Sequence, residues 1–404
     1  MKKAVITSYA RTPVGAFLGS LKEVPVETLA ATAIEEAVKR SGIDKASVEE
    51  VIMGHVISST DAPDLARDAA LLCGMVDTPA FTVNRICGSG LQAVASALQE
   101  IQTGVSAVVV AGGAESLSRV PYYLPLSSRY QPLRNGSQQL KCANEQSHFN
   151  AAPNSLYPAI WMGNTAENVV ERYQIPREDQ DRFAYDSQMK AKAAMDSGRL
   201  AQEIVPVEIK GRKGSVFVQV DEHPKPDVTM EGLAKLKPAF QKVGTVTPGN
   251  STGMNDGAAA MVVMSEDKCQ AAGLKPMVYV KDFAVAALDP LVMGLGPAYA
   301  IPKVLKKNGL TYNDIDLYEI NEAFAGQVLG CMKMMDWYLD SPLYQRLNVN
   351  GGAIALGHPL GASGGRIIGT LALEMSIRGV RYGIASACIG GGMGIAVLLE
   401  NAQV

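Results

Sequence analysis

Val83-Asn84-Arg85-Ile86-Cys87-Gly88-Ser89-Gly90-Leu91 is the stretch on which the reading of this chain turns. Ahead of it, residues 80–83 are Ala, Phe, Thr and Val, the β-branched and aromatic character of a strand. Behind it, Leu91, Val94, Ala95, Leu98 and Ile101 repeat at the i, i+3, i+4, i+7 spacing of one buried helix face. Cys87 is therefore expected at a strand-to-helix turn, where free N–H groups and the positive end of the helix dipole stabilise a thiolate. Gly88 and Gly90 carry no Cβ, so the backbone can bend sharply and another molecule can come close. That is the setting of an activated cysteine nucleophile. A small hydrophobe in a tight turn fits the same residues, and the rest of the chain has to decide between the two.

The chain is 404 residues long, with 47% apolar and 19% charged residues, which suits two or three packed units with a large core. A net charge of −3 with mixed signs throughout, and no basic block or basic amphipathic stretch, argues against nucleic acid and against a membrane surface. The six cysteines (Cys73, Cys87, Cys142, Cys269, Cys331 and Cys388) are scattered, without a C-x-x-C pair. With four histidines and no ligand spacing, no metal site is expected. Residues 1–7 run straight into a strand pattern, without secretory or transit features, so a reducing, cytoplasmic compartment is expected.

Strand-like runs at residues 4–8, 51–56, 80–83, 107–111, 278–283 and 316–320 alternate with helical runs, among them 25–40, 66–73 and 301–308. This alternation predicts an α/β protein with a largely parallel sheet. His55 is expected within its strand as a satisfied structural histidine. Residues 112–116, Gly-Gly-Ala-Glu-Ser, read as a turn. Residues 119–160, rich in Pro, Tyr, Ser, Asn and Gln, read as an irregular surface excursion. Helical pattern returns at 165–173 and 177–196, and residues 205–244 are Lys-rich, either a solvated face or an anion site. Near the C-terminus, residues 383–399 read as two strands around a glycine-rich turn. Cys87-Gly88-Ser89-Gly90 and Cys388-Ile389-Gly390-Gly391-Gly392 echo each other faintly, which permits an internally duplicated fold without establishing one.

Three further motifs carry chemistry. Asn321, in Asn321-Glu322-Ala323-Phe324, follows a strand, and its amide can donate to an oxyanion or fix a water that does so. His358 stands in a glycine-dense loop, with little steric cover, as a natural base near pH 7. Cys388 lies among backbone donors. Singly, each has a bland reading: a helix cap, a core-edge histidine, an inert thiol. Jointly they point to paired thiol chemistry assisted by a base.

These motifs, together with Gly357-His358-Pro359, Arg11-Thr12-Pro13, Asn255-Asp256-Gly257 and Met293-Gly294-Leu295-Gly296-Pro297, resemble those of the thiolase family over nearly the whole chain. The ketoacyl synthases share that fold but pair one cysteine with two histidines. The resemblance implies a five-layer αβαβα thiolase fold from two similar halves, residues 1–118 with 245–275 and residues 276–404. A loop domain, residues 119–244, would cover coenzyme A. The implied reaction is a reversible Claisen condensation between two acyl-CoA molecules, giving 3-oxoacyl-CoA and CoA.

By motif matching, Cys87 would be acylated, His358 would activate it, and Cys388 would move the α-proton of the second substrate. Asn321 would hold the water that shares an oxyanion hole with His358, and the N–H groups of Cys87 and Gly390 would form the other hole. Lys225, Gly232, Ser251 and Thr252 map to coenzyme A contacts, and Met162 and Phe324 to the acyl pocket or pantetheine channel. CoA and acyl-CoA are then substrates, no resident cofactor is expected, and a homodimer or homotetramer is implied. Many short-chain thiolases have His-Met-Gly where this chain has Trp161-Met162-Gly163, and an arginine often stands where Lys225 does. Residues 119–160 and 332–347 also depart from the family. The leading expectation is an acetyl-CoA acetyltransferase. The alternatives are a degradative 3-oxoacyl-CoA thiolase for a larger or aromatic acyl group, and a non-catalytic acyl-CoA-binding subunit of a hetero-complex.

Overall fold

The computed structural model describes residues 2–130, 137–212 and 214–404; residues 131–136 of the expected excursion and Lys213 of the basic run lie outside these. Among the described residues, nine strands join in one hydrogen-bonded path. The C-terminal half contributes Leu317–Ile320, Tyr382–Ile389, Met393–Asn401 and Val278–Ala287, in that order. The N-terminal half continues with Ala4–Arg11, Asn255–Ser265, Val108–Ser116, Glu50–Gly54 and Ala80–Val83. Read from each outer edge inward, the halves repeat one plan, and the place of Ala80–Val83 is taken in the C-terminal half by a parallel bridge from Leu347 to Tyr318. The duplication that the faint sequence echo permitted is therefore present in the topology.

Period-2 alternation along the strands sorts their side chains between three cores. Val109 and Ala111 face a central core with Leu91 and Leu98 of the helix Ser89–Thr103 and Ile367 and Leu371 of the helix Leu360–Arg378. Val108 and Val110 face an outer core with Leu29 and Ile34 of the helix Val26–Ser41. In the other half Ile384 and Cys388 face a second outer core with Ile301 and Val304 of the helix Gly296–Lys307. Helices, sheet, paired central helices, sheet, helices: this is the five-layer αβαβα arrangement.

The sheet is mixed, not largely parallel. Only Glu50–Gly54 with its two neighbours and Leu317–Ile320 with Tyr382–Ile389 run parallel; the other long pairs are antiparallel. The alternation rule fails because the last two strands of each half are not joined by a helical crossover. In the C-terminal half three glycines turn Tyr382–Ile389 back as Met393–Asn401. In the N-terminal half the matching connection is the long stretch 117–254.

Residues 112–116 are strand, not turn. The glycines there answer to crowding: a Cβ on Gly112 would collide with the neighbouring strand at Ala259, and one on Gly113 with the carbonyl of Gly361. Similarly, the two central helices cross backbone to backbone, since a Cβ on Gly364 would strike the N–H of Leu91 and one on Gly90 would lie 2.6 Å from Gly365 N. These glycines thus serve packing within the chain rather than the approach of another molecule.

The helices Met162–Tyr173 and Arg177–Asp196 place Val169, Val170 and Phe183 in the core that holds Val328 and Leu329 of the helix Ala325–Met334. A buried ion network ties the same part of the chain to both halves. Arg11 pairs with Asp221 through two bonds of 2.7 and 2.9 Å and with Glu203 at 2.9 Å. Arg199 bridges Glu203 at 2.7 Å and Glu374 at 2.6 Å. Such pairs are costly to break singly, because the partner left behind is a buried charge.

Candidate active site

Cys87 sits two residues before the helix Ser89–Thr103, as its spacing predicted. The turn is held tightly. Ile86 has φ +46°, a left-handed conformation that costs a β-branched residue about 1–3 kcal/mol. Asn84 Oδ1 accepts from Ile86 N at 2.9 Å, and Ser89 Oγ donates to Ile86 O at 2.6 Å while accepting from Arg85 N at 2.9 Å. Burial nevertheless pushes the Cys87 thiol up to about 11; the N–H groups of Gly390 and of Cys87 itself pull it back only in part. The expectation of a thiolate at the helix end is corrected here: desolvation outweighs these donor N–H groups, so the resting sulfur is a thiol.

His358 occupies the matching place in the other half, two residues before the helix Leu360–Arg378. It is 4% exposed, so the expected lack of cover does not hold. Asn255 Oδ1 accepts from His358 N at 3.0 Å, and His358 Nδ1 lies 2.6 Å from Ser363 Oγ. Ser363 donates its one proton to Pro359 O at 2.9 Å, so its oxygen accepts from the imidazole. The proton therefore sits on Nδ1, and Nε2 keeps its lone pair. Burial, assisted by the positive charge of Arg366, lowers the imidazole to about 3. At neutral pH Nε2 is a free base.

Asn321 leaves its strand with its N–H bonded to Ser386 O at 2.9 Å, and its Nδ2 lies 3.4 Å from His358 Nε2. Its Oδ1 is buried without a partner among the described residues. Cys388, 1% exposed, has its thiol raised well above the ordinary value by burial and by the neighbouring Cys87 sulfur. Cys87, His358, Cys388 and Gly390 all line one cavity of about 320 Å³. The cysteine echo in the sequence does not mark duplicated positions: Cys87 matches His358, and Cys388 matches Glu115.

Met162, Phe324 and Thr252 line the same cavity. Thr252 Oγ1 donates to Ala353 O at 2.8 Å. Ser251 lies behind it, bridged to Phe324, with a buried and unpartnered hydroxyl. Lys225 and Gly232 lie outside the lining: Lys225 is an exposed residue whose N–H donates to Gln188 Oε1 at 2.8 Å, and Gly232 N donates to Thr229 Oγ1 at 3.0 Å. His55 stands just beyond the strand Glu50–Gly54, its Nδ1 3.1 Å from Ala114 O, a satisfied structural histidine.

Residue-level reading missed one wall. The excursion at 119–160 is not merely surface: its helix Ala143–Phe149 turns Asn144, Ser147 and His148 into the cavity. Trp161 packs beside them, its ring 5.1 Å from that of His148 and 4.9 Å from that of Phe149. The only forewarning was that this stretch departs from the family pattern. Among the described residues no three His, Cys, Asp or Glu side chains gather as metal ligands, and no helix is long and apolar enough to cross a membrane.

Comparison with known proteins supplies the family. The family description "Thiolase, N-terminal domain" matches residues 4–267, and "Thiolase, C-terminal domain" matches residues 274–401. The chain is 46% identical to the acetyl-CoA acetyltransferase of Escherichia coli K12 and 44% identical to that of Paracoccus denitrificans, each match spanning 99% of this chain and 100% of the relative. The crystal structure of the Bacillus anthracis acetyl-CoA acetyltransferase superposes with a TM-score of 0.93 at 45% identity, over 99% of both chains. That of human mitochondrial 3-ketoacyl-CoA thiolase does so with a TM-score of 0.93 at 40% identity, again over 99% of both. With both family descriptions matched in order along almost its whole length, the chain belongs to the thiolase family.

Proposed function

We propose that this protein catalyses the reversible thiolase reaction, as an acetyl-CoA C-acetyltransferase, with Cys87, His358 and Cys388 as its reacting side chains. The observation that carries the reading is the single cavity lined by both thiols, the basic Nε2 and the Gly390 turn. In the thiolysis direction the Cys87 sulfur attacks the 3-oxo carbonyl while its proton passes to His358 Nε2. Because the thiol stands near 11 and the imidazole near 3, that proton moves only as the sulfur attacks. The Cα–Cβ bond then breaks, its electron pair stays on Cα, and the Cys388 thiol delivers a proton there, releasing acetyl-CoA. The CoA thiol next gives its proton to the Cys388 thiolate as its sulfur attacks the acyl group on Cys87. As the Cys87 C–S bond breaks, its sulfur takes back the proton held on His358 Nε2, so acyl-CoA leaves and all three side chains are restored. Condensation is the reverse sequence. Acylation divides one hard carbon–carbon step into two.

Each step develops negative charge on an oxygen. The N–H groups of Cys87 and Gly390 both approach the Cys87 sulfur, which supports their use as one donor pair. Asn321 Nδ2 beside His358 Nε2 supports a water held there as the other. Losing one such donor costs about 10²–10³ in rate. Lys225, Gly232, Ser251 and Thr252 would hold CoA, with residues 119–244 as its cover. A homodimer or homotetramer in the cytoplasm is part of the same reading.

The test is thiolysis of acetoacetyl-CoA by CoA, with the mass of the Cys87 peptide read after mixing with acetyl-CoA. Loss of the 3-oxo thioester and an acetyl adduct on Cys87 are expected. An unmodified Cys87 with no turnover would refute the reading.

A further inference from the structure

The cavity is apolar over most of its wall, with Ile86, Leu117, Met254, Met293 and Phe240 among its lining residues. One side is different. Asn144, Ser147 and His148 stand at i, i+3 and i+4 on the helix Ala143–Phe149, so they share one face, and all three line the cavity. Ser147 spends its proton on Asn144 O at 2.7 Å, which leaves its oxygen as an acceptor. Among the described residues Asn144 Nδ2 has only the weak acceptor Met254 Sδ, at 3.3 Å. The His148 imidazole makes no hydrogen bond to the described residues, and burial alone lowers it to about 4, so it is neutral, with one donor and one acceptor nitrogen.

This face lies beside the reacting centre. The segment that follows the helix folds over the Gly390–Gly391 turn, where a Cβ on Gly391 would stand 2.7 Å from Ala151 O and one on Gly390 3.7 Å from Ala151 Cβ. A plain alkyl chain against this wall would leave its polar groups without partners. Among the described residues no Lys or Arg lines the cavity, so these residues offer an ionised acyl chain no counter-charge.

We propose that the Asn144–Ser147–His148 face makes this site select acyl groups bearing a neutral hydrogen-bonding oxygen beyond the 3-oxo carbon, over alkyl and carboxylate-bearing chains of the same size. The proposal rests on the thiolase reading of the site and goes beyond its acetyl assignment, to how the cavity discriminates among longer 3-oxoacyl chains. His148 and Asn144 are specificity-determining residues that donate to the chain oxygen.

The test uses an isosteric pair, 3-oxohexanoyl-CoA and 4-methoxy-3-oxobutanoyl-CoA, which differ by one CH2 replaced with oxygen, alongside acetoacetyl-CoA. The wild-type enzyme is expected to favour the methoxy substrate in kcat/KM by about five- to tenfold, the worth of one net hydrogen bond. In His148→Leu and Asn144→Leu that ratio is expected to fall to about 1 or below. A wild-type ratio of 1 or less overturns the proposal, and needs no variant to fold. So does turnover of acetoacetyl-CoA with neither longer substrate accepted. A ratio unchanged in both variants while the KM for CoA rises overturns it as well, and gives the wall to CoA instead. Failure of all three substrates, acetoacetyl-CoA included, sinks the thiolase reading itself.

Discussion

In the C-terminal half the strand Leu317–Ile320 runs out into Asn321, and its parallel neighbour Tyr382–Ile389 carries Cys388 next to its last residue. The matching strands of the N-terminal half, Glu50–Gly54 and Val108–Ser116, lead to His55 and Glu115. Both ladders support the match. Gly54 pairs with Gly113 where Ile320 pairs with Ser386, and Ser116 faces Asp256 where Ile389 faces Met393. The same two places are put to different uses. In one half they bring a thiol to the cavity and an amide against the His358 imidazole. In the other, Glu115 accepts from Val56 N at 3.0 Å, from Ile57 N at 3.1 Å and from Gly361 N at 3.0 Å, with His55 Nδ1 3.3 Å away. Its carboxylate therefore stands at the N-terminus of the helix that follows His358, where negative charge is favoured. One half holds in place the helix that the other half uses.

The largest expected contrast comes from exchanging one atom at each matched place. Cys388→Ser is expected to lower acetoacetyl-CoA thiolysis by about 10²–10⁴-fold, the range for a lost proton-transfer group, with its melting temperature unchanged. Glu115→Gln is expected to do the converse: turnover within about tenfold of wild type, but about 1–3 kcal/mol lost from unfolding free energy. Should denaturant titration find Glu115→Gln as stable as wild type, Glu115 does not hold the helix Leu360–Arg378 in place.

A second contrast concerns the two helix starts. If a helix N-terminus were enough to ionise Cys87, iodoacetamide inactivation would level off near pH 8. With the thiol near 11, the thiolate fraction grows about tenfold per pH unit, so the rate of inactivation is expected to climb steadily from pH 7 to 10. A plateau below pH 9 would contradict the buried-thiol account.

The smallest effect is expected at the base. Ser363→Ala removes the acceptor that holds the proton on His358 Nδ1, and the pre-steady-state rate of Cys87 acylation should drop about three- to tenfold. Ser363→Thr, which keeps the hydroxyl, should restore it. An unaffected rate in Ser363→Ala would show that the tautomer is set in another way.

Much of the architecture was legible in the residues. The strand and helix around Cys87 follow from a β-rich tetrad and a 3.6-residue apolar spacing, and the helix Arg177–Asp196 follows from its periodicity and Pro176. The glycines were the weak point. Residues 112–116 looked like a turn because glycine usually marks one; only the neighbouring backbones of Ala259 and Gly361 explain glycines inside a buried strand. Asn144, Ser147 and His148 were likewise unreadable, since a polar side chain on a short irregular helix looks solvent-facing until something packs over it.

By itself, the sequence determined which residues have the chemistry to react, two thiols, an imidazole and an amide, and where local elements begin, because both depend on residue type and short-range periodicity. Tertiary structure alone decided their working states: that Cys87 rests as a thiol, that His358 carries its proton on Nδ1, and that Cys388 answers to Glu115 rather than to Cys87. Burial and hydrogen-bond partners set protonation, and those partners come from strands and helices hundreds of residues apart along the chain, such as Asn255 on His358 and Gly390 on Cys87.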